Sequence, residues 1–341
     1  MVRRAALLIA AFASLAAAAP LDDRGIFDQD AGFAYTKPED VKLTCPNGIQ
    51  GKAGGIVFLI HGTASNGQES WAKGPYVQVL PNKGKGYDVC WIDLPARALN
   101  DAQISGELVA RAIPQLASQS ATGKINIIGH SQGGGLNPQW ALTFWPSTRQ
   151  YVQNYIALAG DFKGTALGYF LTVPQFATES IIQQTVPSRY LTAQNNPLGG
   201  GKALVPTTSI YTVTDDIVQP QFPRAVASSN LPGASVHALQ DLDFCGPAKL
   251  ADHFTMLVDS AAYGLAFTTL EAGKPVPISA VDKGFCLYNI QSPETSFDDL
   301  PAAAYSGFVD AISVGVAPKA SREPPLKPYV CRRGYALNCG N

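Results

Sequence analysis

INIIGHSQGGGLN, residues 125–137, passes from apolar residues into a dense glycine cluster within a few positions. Ile125, Ile127 and Ile128 read as part of a buried strand, and GLNPQWALTFW (135–145) reads as the helix that follows. Gly129-His130-Ser131-Gln132-Gly133 stands at the changeover and matches the pattern G-x-S-x-G. A turn that sharp forces strained backbone angles on its serine and lifts the hydroxyl above the sheet edge. Glycines two residues to either side let strand and helix approach without a Cβ clash.

The rest of the chain extends this pattern in both directions. GGIVFLIHG (54–62) and YDVCWIDLP (87–95) are short continuous apolar runs closed by turns, as strands buried on both faces should be. NYIALAG (154–160), TTSIYTVT (207–214) and ASVHALQDL (234–242) follow as further strands. Ile104, Leu108, Ala112 and Leu116 recur at helical spacing, in a helix that Pro114 should kink or shorten. Residues 20–53 read as irregular, and NNPLGGGKALVP (195–206) as a loop. The loop has neither the preceding strand nor the GK[ST] ending of a phosphate-binding loop. Strands separated by helical segments predict an α/β fold with a mostly parallel central sheet and helices on both faces. No repeat and no long linker divides the chain, so residues 19–341 are expected to form a single domain.

Bulk properties exclude several function classes. Net charge is −1, and no basic cluster exceeds the pair Arg332-Arg333, which argues against a nucleic-acid partner. At the N-terminus, MVRRAALLIAAFASLAAAAP has two arginines, an apolar core and then small residues, the order of a secretory signal. Cleavage is placed near Ala18, and the apolar run is too short for a transmembrane span. A secreted, extracellular protein is therefore expected, and its six cysteines read as up to three disulfides in any of 15 pairings. There is no CxxC and the four histidines are scattered, so no metal site is expected. No N-glycosylation sequon occurs.

A serine hydroxyl becomes a nucleophile when a base removes its proton, and in this arrangement the partners follow in the order serine, acid, histidine. Two histidines lie downstream of Ser131. His237 sits inside a predicted strand, where a structural role is preferred, while His253 lies on a loop beyond the last strand. The candidate acids are Asp161, Asp215, Asp216, Asp241, Asp243 and Asp252. Asp215 and Asp216 stand just past the C-terminal end of a strand, the usual place for catalytic groups in open sheets, and spacing does not separate them. Gln132, next after the serine, and Thr63, on the loop LIHGTASNG (59–67), are the candidate oxyanion donors. His61-Gly62 in that loop reads as a close-packed turn.

These stretches bring a specific resemblance. HGTASNGQESW, YDVCWIDLP, LNDAQ, SQGGGLNPQWALTFWPS, GDFKGT, VPTTSIYTVTDDIVQPQ and CGPAKLADH resemble the Candida antarctica lipase B-like family of fungal lipases, a branch of the α/β-hydrolases. They run from about Cys45 to Tyr329. The resemblance implies Asp215 as the acid, His253 as the base and Thr63 with Gln132 as the oxyanion hole. It also implies Asp161 and Gln184 in the acyl pocket, and the disulfides Cys45–Cys90 and Cys245–Cys286. Hydrolysis of triacylglycerols or other esters, with no metal and no organic cofactor, is its implied activity.

The chain departs from the family twice. Gly129-His130 stands where the family has T-W, so His130 is expected at the alcohol side of the pocket, with more room than tryptophan leaves. Arg322 stands where the family's third disulfide begins, which leaves Cys331 and Cys339 to pair with each other across a short loop. ALGYFLTVPQFA (166–177) and AAYSGFVDAISVGVA (303–317) read either as the pocket mouth or as ordinary core helices. The expected protein is a secreted serine ester hydrolase, lipase-like and monomeric, making transient contact with a lipid interface. An esterase or acyltransferase for soluble or polymeric esters such as cutin, and a non-catalytic binding protein on the same fold, are the alternatives.

Overall fold

The structure, a computed structural model, describes residues 29–173, 176–287 and 299–340; the expected signal segment, residues 1–18, lies outside them. Among the described residues seven strands form one sheet: β1 (Leu43–Thr44), β2 (Ile56–Ile60), β3 (Asp88–Ile92), β4 (Ile125–His130), β5 (Val152–Leu158), β6 (Thr207–Tyr211) and β7 (Ser235–Ala238). Their order is β1-β3-β2-β4-β5-β6-β7, with every pairing parallel except that of β1 with β3.

The central strands β2 to β6 are buried at nearly every position, and β2 is apolar throughout, because both faces of the sheet are covered. Ile56, Phe58 and Ile60 of β2 enter one core, with Ile125 and Ile127 of β4, and Val57 and Leu59 enter the other, with Ile128. The two-residue period of a strand divides consecutive side chains in this way. The helices Ala102–Ala117 and Asn137–Phe144 close the first core, and the helix Ser260–Ala272 closes the second. Each fully buried aliphatic or aromatic side chain stabilises the fold by roughly 1.5–3 kcal/mol. In the first core Trp140 stacks on Tyr190, 4.2 Å between ring centroids, and its indole N–H donates to the Tyr329 hydroxyl.

Three details differ from the sequence reading. The stretch 20–53 contains β1, two residues long and too short to show a period. The helix from Ala102 continues past Pro114 to Ala117, since a proline in the last turn removes one hydrogen bond near an end that frays anyway. β7 stops at Ala238, where the Asp241 carboxylate accepts the Ala238 N–H and turns the chain. Among the described residues no helix is long and apolar enough to cross a membrane.

Three disulfides are present: Cys45–Cys90, Cys245–Cys286 and Cys331–Cys339. The last joins residues eight apart, against 41 for Cys245–Cys286. By loop-closure entropy the shorter loop is worth about 2.5 kcal/mol and the longer about 3.9 kcal/mol. Replacing Cys331 and Cys339 by serine is therefore expected to lower stability less than replacing Cys245 and Cys286. Denaturant unfolding of the two double variants checks the order.

Candidate active site

Pairing in the sheet brings the first two candidate residues together. Ile60 at the end of β2 lies opposite Gly129 of β4, so the loops that leave these adjacent strands, carrying Thr63 and Ser131, emerge side by side. The chain runs from β2 to β3 on one side and returns to β4 on the other, which opens a crevice at this sheet edge. Ser131 has φ 57° and ψ −126°, outside the comfortable regions for a residue with a side chain. Backbone strain of this kind costs on the order of 1–3 kcal/mol and persists only where the surroundings enforce it. The glycines provide that enforcement. A Cβ on Gly129 would sit 1.8 Å from the Gly133 carbonyl oxygen, and one on Gly133 would sit 2.3 Å from the carbonyl oxygens of Ile60 and His61.

The Thr63 loop is braced from behind. His61 is fully buried, and one ring nitrogen, Nδ1, lies 2.8 Å from the Gly62 carbonyl oxygen. Its Nε2 accepts the Leu94 N–H at 3.0 Å, so the ring is the neutral Nδ1–H tautomer. Burial also lowers its pKa. This histidine staples the loop to the end of β3. Arg97 donates from Nε to the Ala64 carbonyl oxygen and pairs with Glu69.

Asp215, just past β6, and His253, on the loop beyond β7, meet across the same edge. His253 Nδ1 donates to Asp215 Oδ2 at 2.9 Å, and both side chains are buried. The other oxygen of Asp215 accepts the N–H groups of Ile217 and Val218, so the whole carboxylate is oriented. Asp216 turns the other way and accepts the backbone N–H of His253 at 3.1 Å. Burial alone would lower the His253 pKa; the charge and hydrogen bond of Asp215, with help from Asp216 and Asp161, raise it above its ordinary value. His237 is on β7, where Ser235 Oγ lies 2.7 Å from its Nε2. Asp241 and Asp252 are engaged in turns, and Asp243 is not among the residues that line the cleft described next.

Ser131, His253, Thr63 and Gln184 line one cleft, which encloses about 610 Å³ with its open mouth included. Its remaining wall is largely carbon, from Ile181, Ile217, Val218, Leu257, Ala304 and Phe308. The Thr63 hydroxyl lies within hydrogen-bond reach of the side-chain oxygens of Gln132 (2.7 Å) and Gln184 (2.9 Å). It has one hydrogen and can serve only one of them at a time. The backbone N–H groups of Thr63 and Gln132 donate to no acceptor among the described residues. Asp161 is buried and is not among the residues that line the cleft; burial outweighs the backbone N–H groups of Asp161 and Leu136 near its carboxylate and pushes its pKa up to about 7.

His130 also lines the cleft, with its ring 4.6 Å from that of His253. The room expected beside it is bordered by a second aromatic ring. Phe254 stands there, 6.4 Å from His130 between centroids, and packs on Tyr305 and Phe308. Sequence reasoning passed over Phe254; its position directly after the candidate base was the available signal. Phe308 and Ala304 come from the helix Asp299–Val314 and Gly168 from the 3-10 helix Ala166–Leu171, so both apolar segments reach the cleft. Of the first segment, Pro174 and Gln175 lie outside the described residues. Among the described residues no cluster of His, Cys, Asp and Glu could hold a metal ion.

Lipase B of Pseudozyma antarctica is 33% identical over 321 residues, covering 93% of this chain and 91% of the relative. The crystal structure of Aspergillus fumigatus lipase B aligns with a TM-score of 0.77 at 29% identity, covering 88% of this chain and 73% of that one. No protein-family model matches the chain.

Proposed function

The chain belongs to the lipase B family of hydrolases, and we propose that it is a secreted triacylglycerol lipase working through Ser131, His253 and Asp215. The observation that carries this reading is the buried His253–Asp215 pair, 2.9 Å apart, in the cleft where the strained turn presents Ser131. Ser131 Oγ attacks the ester carbonyl carbon while its proton passes to His253 Nε2. The Asp215 carboxylate holds the imidazole in the tautomer that can accept that proton and stabilises the charge it gains. Negative charge gathers on the former carbonyl oxygen, where the N–H groups of Thr63 and Gln132 and the Thr63 hydroxyl receive it. As the carbonyl reforms, the bond to the alcohol oxygen breaks and that oxygen takes the proton from His253. Water then repeats the sequence on the acyl-enzyme and releases the acid.

Ser131 and His253 share the cleft without a hydrogen bond between them, and such bonds commonly tighten on substrate binding. The apolar wall suits an acyl chain, with Gln184 at its polar end. Secretion is supported by the signal-like N-terminus and the three disulfides. A fluorophosphonate probe tests the reading directly. The expected product is one adduct on Ser131, with hydrolysis of emulsified triacylglycerol lost in step. An unlabelled Ser131 in folded protein would favour a binding protein on this fold, and labelling without activity on emulsions would favour the esterase alternative.

Thr63→Val removes the hydroxyl while keeping the side chain's branched shape. If the hydroxyl leaves its two glutamine partners to meet the oxyanion, kcat should fall on the order of 10²–10³-fold with KM little changed. Equal kinetics in the variant and the parent would remove Thr63 Oγ1 from the oxyanion hole and leave that role to the backbone.

A further inference from the structure

The hydrogen bonding of His130 fixes which of its nitrogens is free. Its Nε2 lies 2.8 Å from the His253 carbonyl oxygen. A carbonyl oxygen only accepts, so Nε2 carries the ring hydrogen. Burial, reinforced by the neighbouring His253, holds the imidazole well below its ordinary pKa in spite of that bond, so the ring is neutral. Its Nδ1 is then a lone-pair acceptor. Among the described residues nothing donates to this nitrogen, and it is not fully sealed by its surroundings. It is therefore open to whatever fills the cleft that His130 lines.

We propose that His130 Nδ1 accepts a hydrogen bond from a free hydroxyl on the leaving alcohol, making partial esters of vicinal diols and polyols the preferred substrates. The inference rests on the serine-hydrolase reading above, and it names the alcohol side of the same site. His253 has to reach the ester oxygen that departs. The His130 ring is 4.6 Å from the His253 ring and inclined to it by 47°. A hydroxyl on the carbon next to the ester-bearing carbon lies one hydrogen-bond length from the departing oxygen, so the two rings can serve the two oxygens of one diol. His253 gives its proton to the oxygen whose bond to the acyl carbon breaks. The neighbouring hydroxyl keeps its own proton and donates it to His130 Nδ1. Around this ring the wall is supplied by Phe254 and, beyond it, Phe308, which offer no competing acceptor.

The test compares kcat/KM for 2-hydroxyethyl and 2-methoxyethyl butanoate, each corrected for its rate of hydroxide-catalysed hydrolysis. The parent is expected to favour the hydroxy ester by on the order of 3- to 10-fold, the net value of one neutral hydrogen bond. In His130→Phe the preference should vanish, whatever happens to the overall rate. In His130→Gln, whose amide can donate to the His253 carbonyl and still offer an acceptor, it should return. A histidine that only holds the His253 backbone would slow both esters equally in His130→Phe and leave their ratio unchanged; that result overturns the proposal. So does a parent with no preference, a measurement that needs no variant to fold. A parent that cleaves emulsified triacylglycerol but hydrolyses neither ester overturns this inference and leaves the hydrolase reading standing, whereas a folded parent in which Ser131 takes no fluorophosphonate defeats both.

Discussion

If Ser131 is the nucleophile, Ser131→Ala should lower kcat by about 10⁶, the scale on which loss of the triad nucleophile acts in a serine protease. The covalent route disappears with the hydroxyl, and only the oxyanion donors and the binding cleft are left to accelerate attack by water. Alanine keeps the Cβ, so the turn at φ 57° and its packing against Gly62 stay as they are. Stability should therefore hardly move, and the lost rate reports chemistry alone. Steady-state kinetics on a soluble ester, with fluorophosphonate titration to exclude residual parent enzyme, checks the figure. A variant within about tenfold of the parent would show that Ser131 is not the nucleophile, since that is far less than any triad nucleophile contributes.

Asp215→Asn is the second large effect, on the order of 10⁴ in kcat, while Asp216→Asn should cost less than tenfold. The two side chains are adjacent in sequence but do different work. Asp215 accepts from the His253 ring, so in the proposed mechanism it decides which nitrogen is free to take the serine proton. An asparagine amide can turn its NH₂ toward the ring and stabilise the opposite tautomer, which leaves no lone pair for Ser131. Asp216 holds the His253 backbone N–H, a bond that an asparagine oxygen can also accept.

The pH profile gives an independent reading. Protonated His253 cannot act as a base, so kcat/KM should rise with pH through the His253 pKa of the free enzyme. That pKa is raised by Asp215, so the acidic limb of the parent should lie above 6.5, the ordinary histidine value. Asp215→Asn removes the main raising influence and leaves burial, which lowers the pKa, so the limb should move to lower pH. In Asp216→Asn the shift should be smaller and in the same direction. A larger loss in Asp216→Asn, or a limb that stays in place when Asp215 is replaced, would overturn the assignment of the acid.

Whatever depends on a few consecutive residues was legible in the chain. Five buried strands were legible because a strand covered on both faces must be apolar at successive positions, as β2 and β3 are. The serine turn was legible because its steric demand is local: Gly129 and Gly133 are required wherever this strand and helix cross so closely. Spacing did not separate Asp215 from Asp216; the family resemblance pointed to Asp215, and the physical difference between them lies in the tertiary contacts. Neighbouring aspartates share their spacing from every motif, and what divides them is which one faces a histidine 38 residues away. The bond from the His130 ring to the His253 backbone spans 123 residues and leaves no trace in either local stretch. Phe254 beside His130 and the two-residue β1 escaped for the same cause, since one is a contact between loops and the other is too short to carry a period. Periodicity and steric exclusion act through the nearest neighbours in the chain, whereas partner choice at a sheet edge follows from strand order and register, which bring distant loops together.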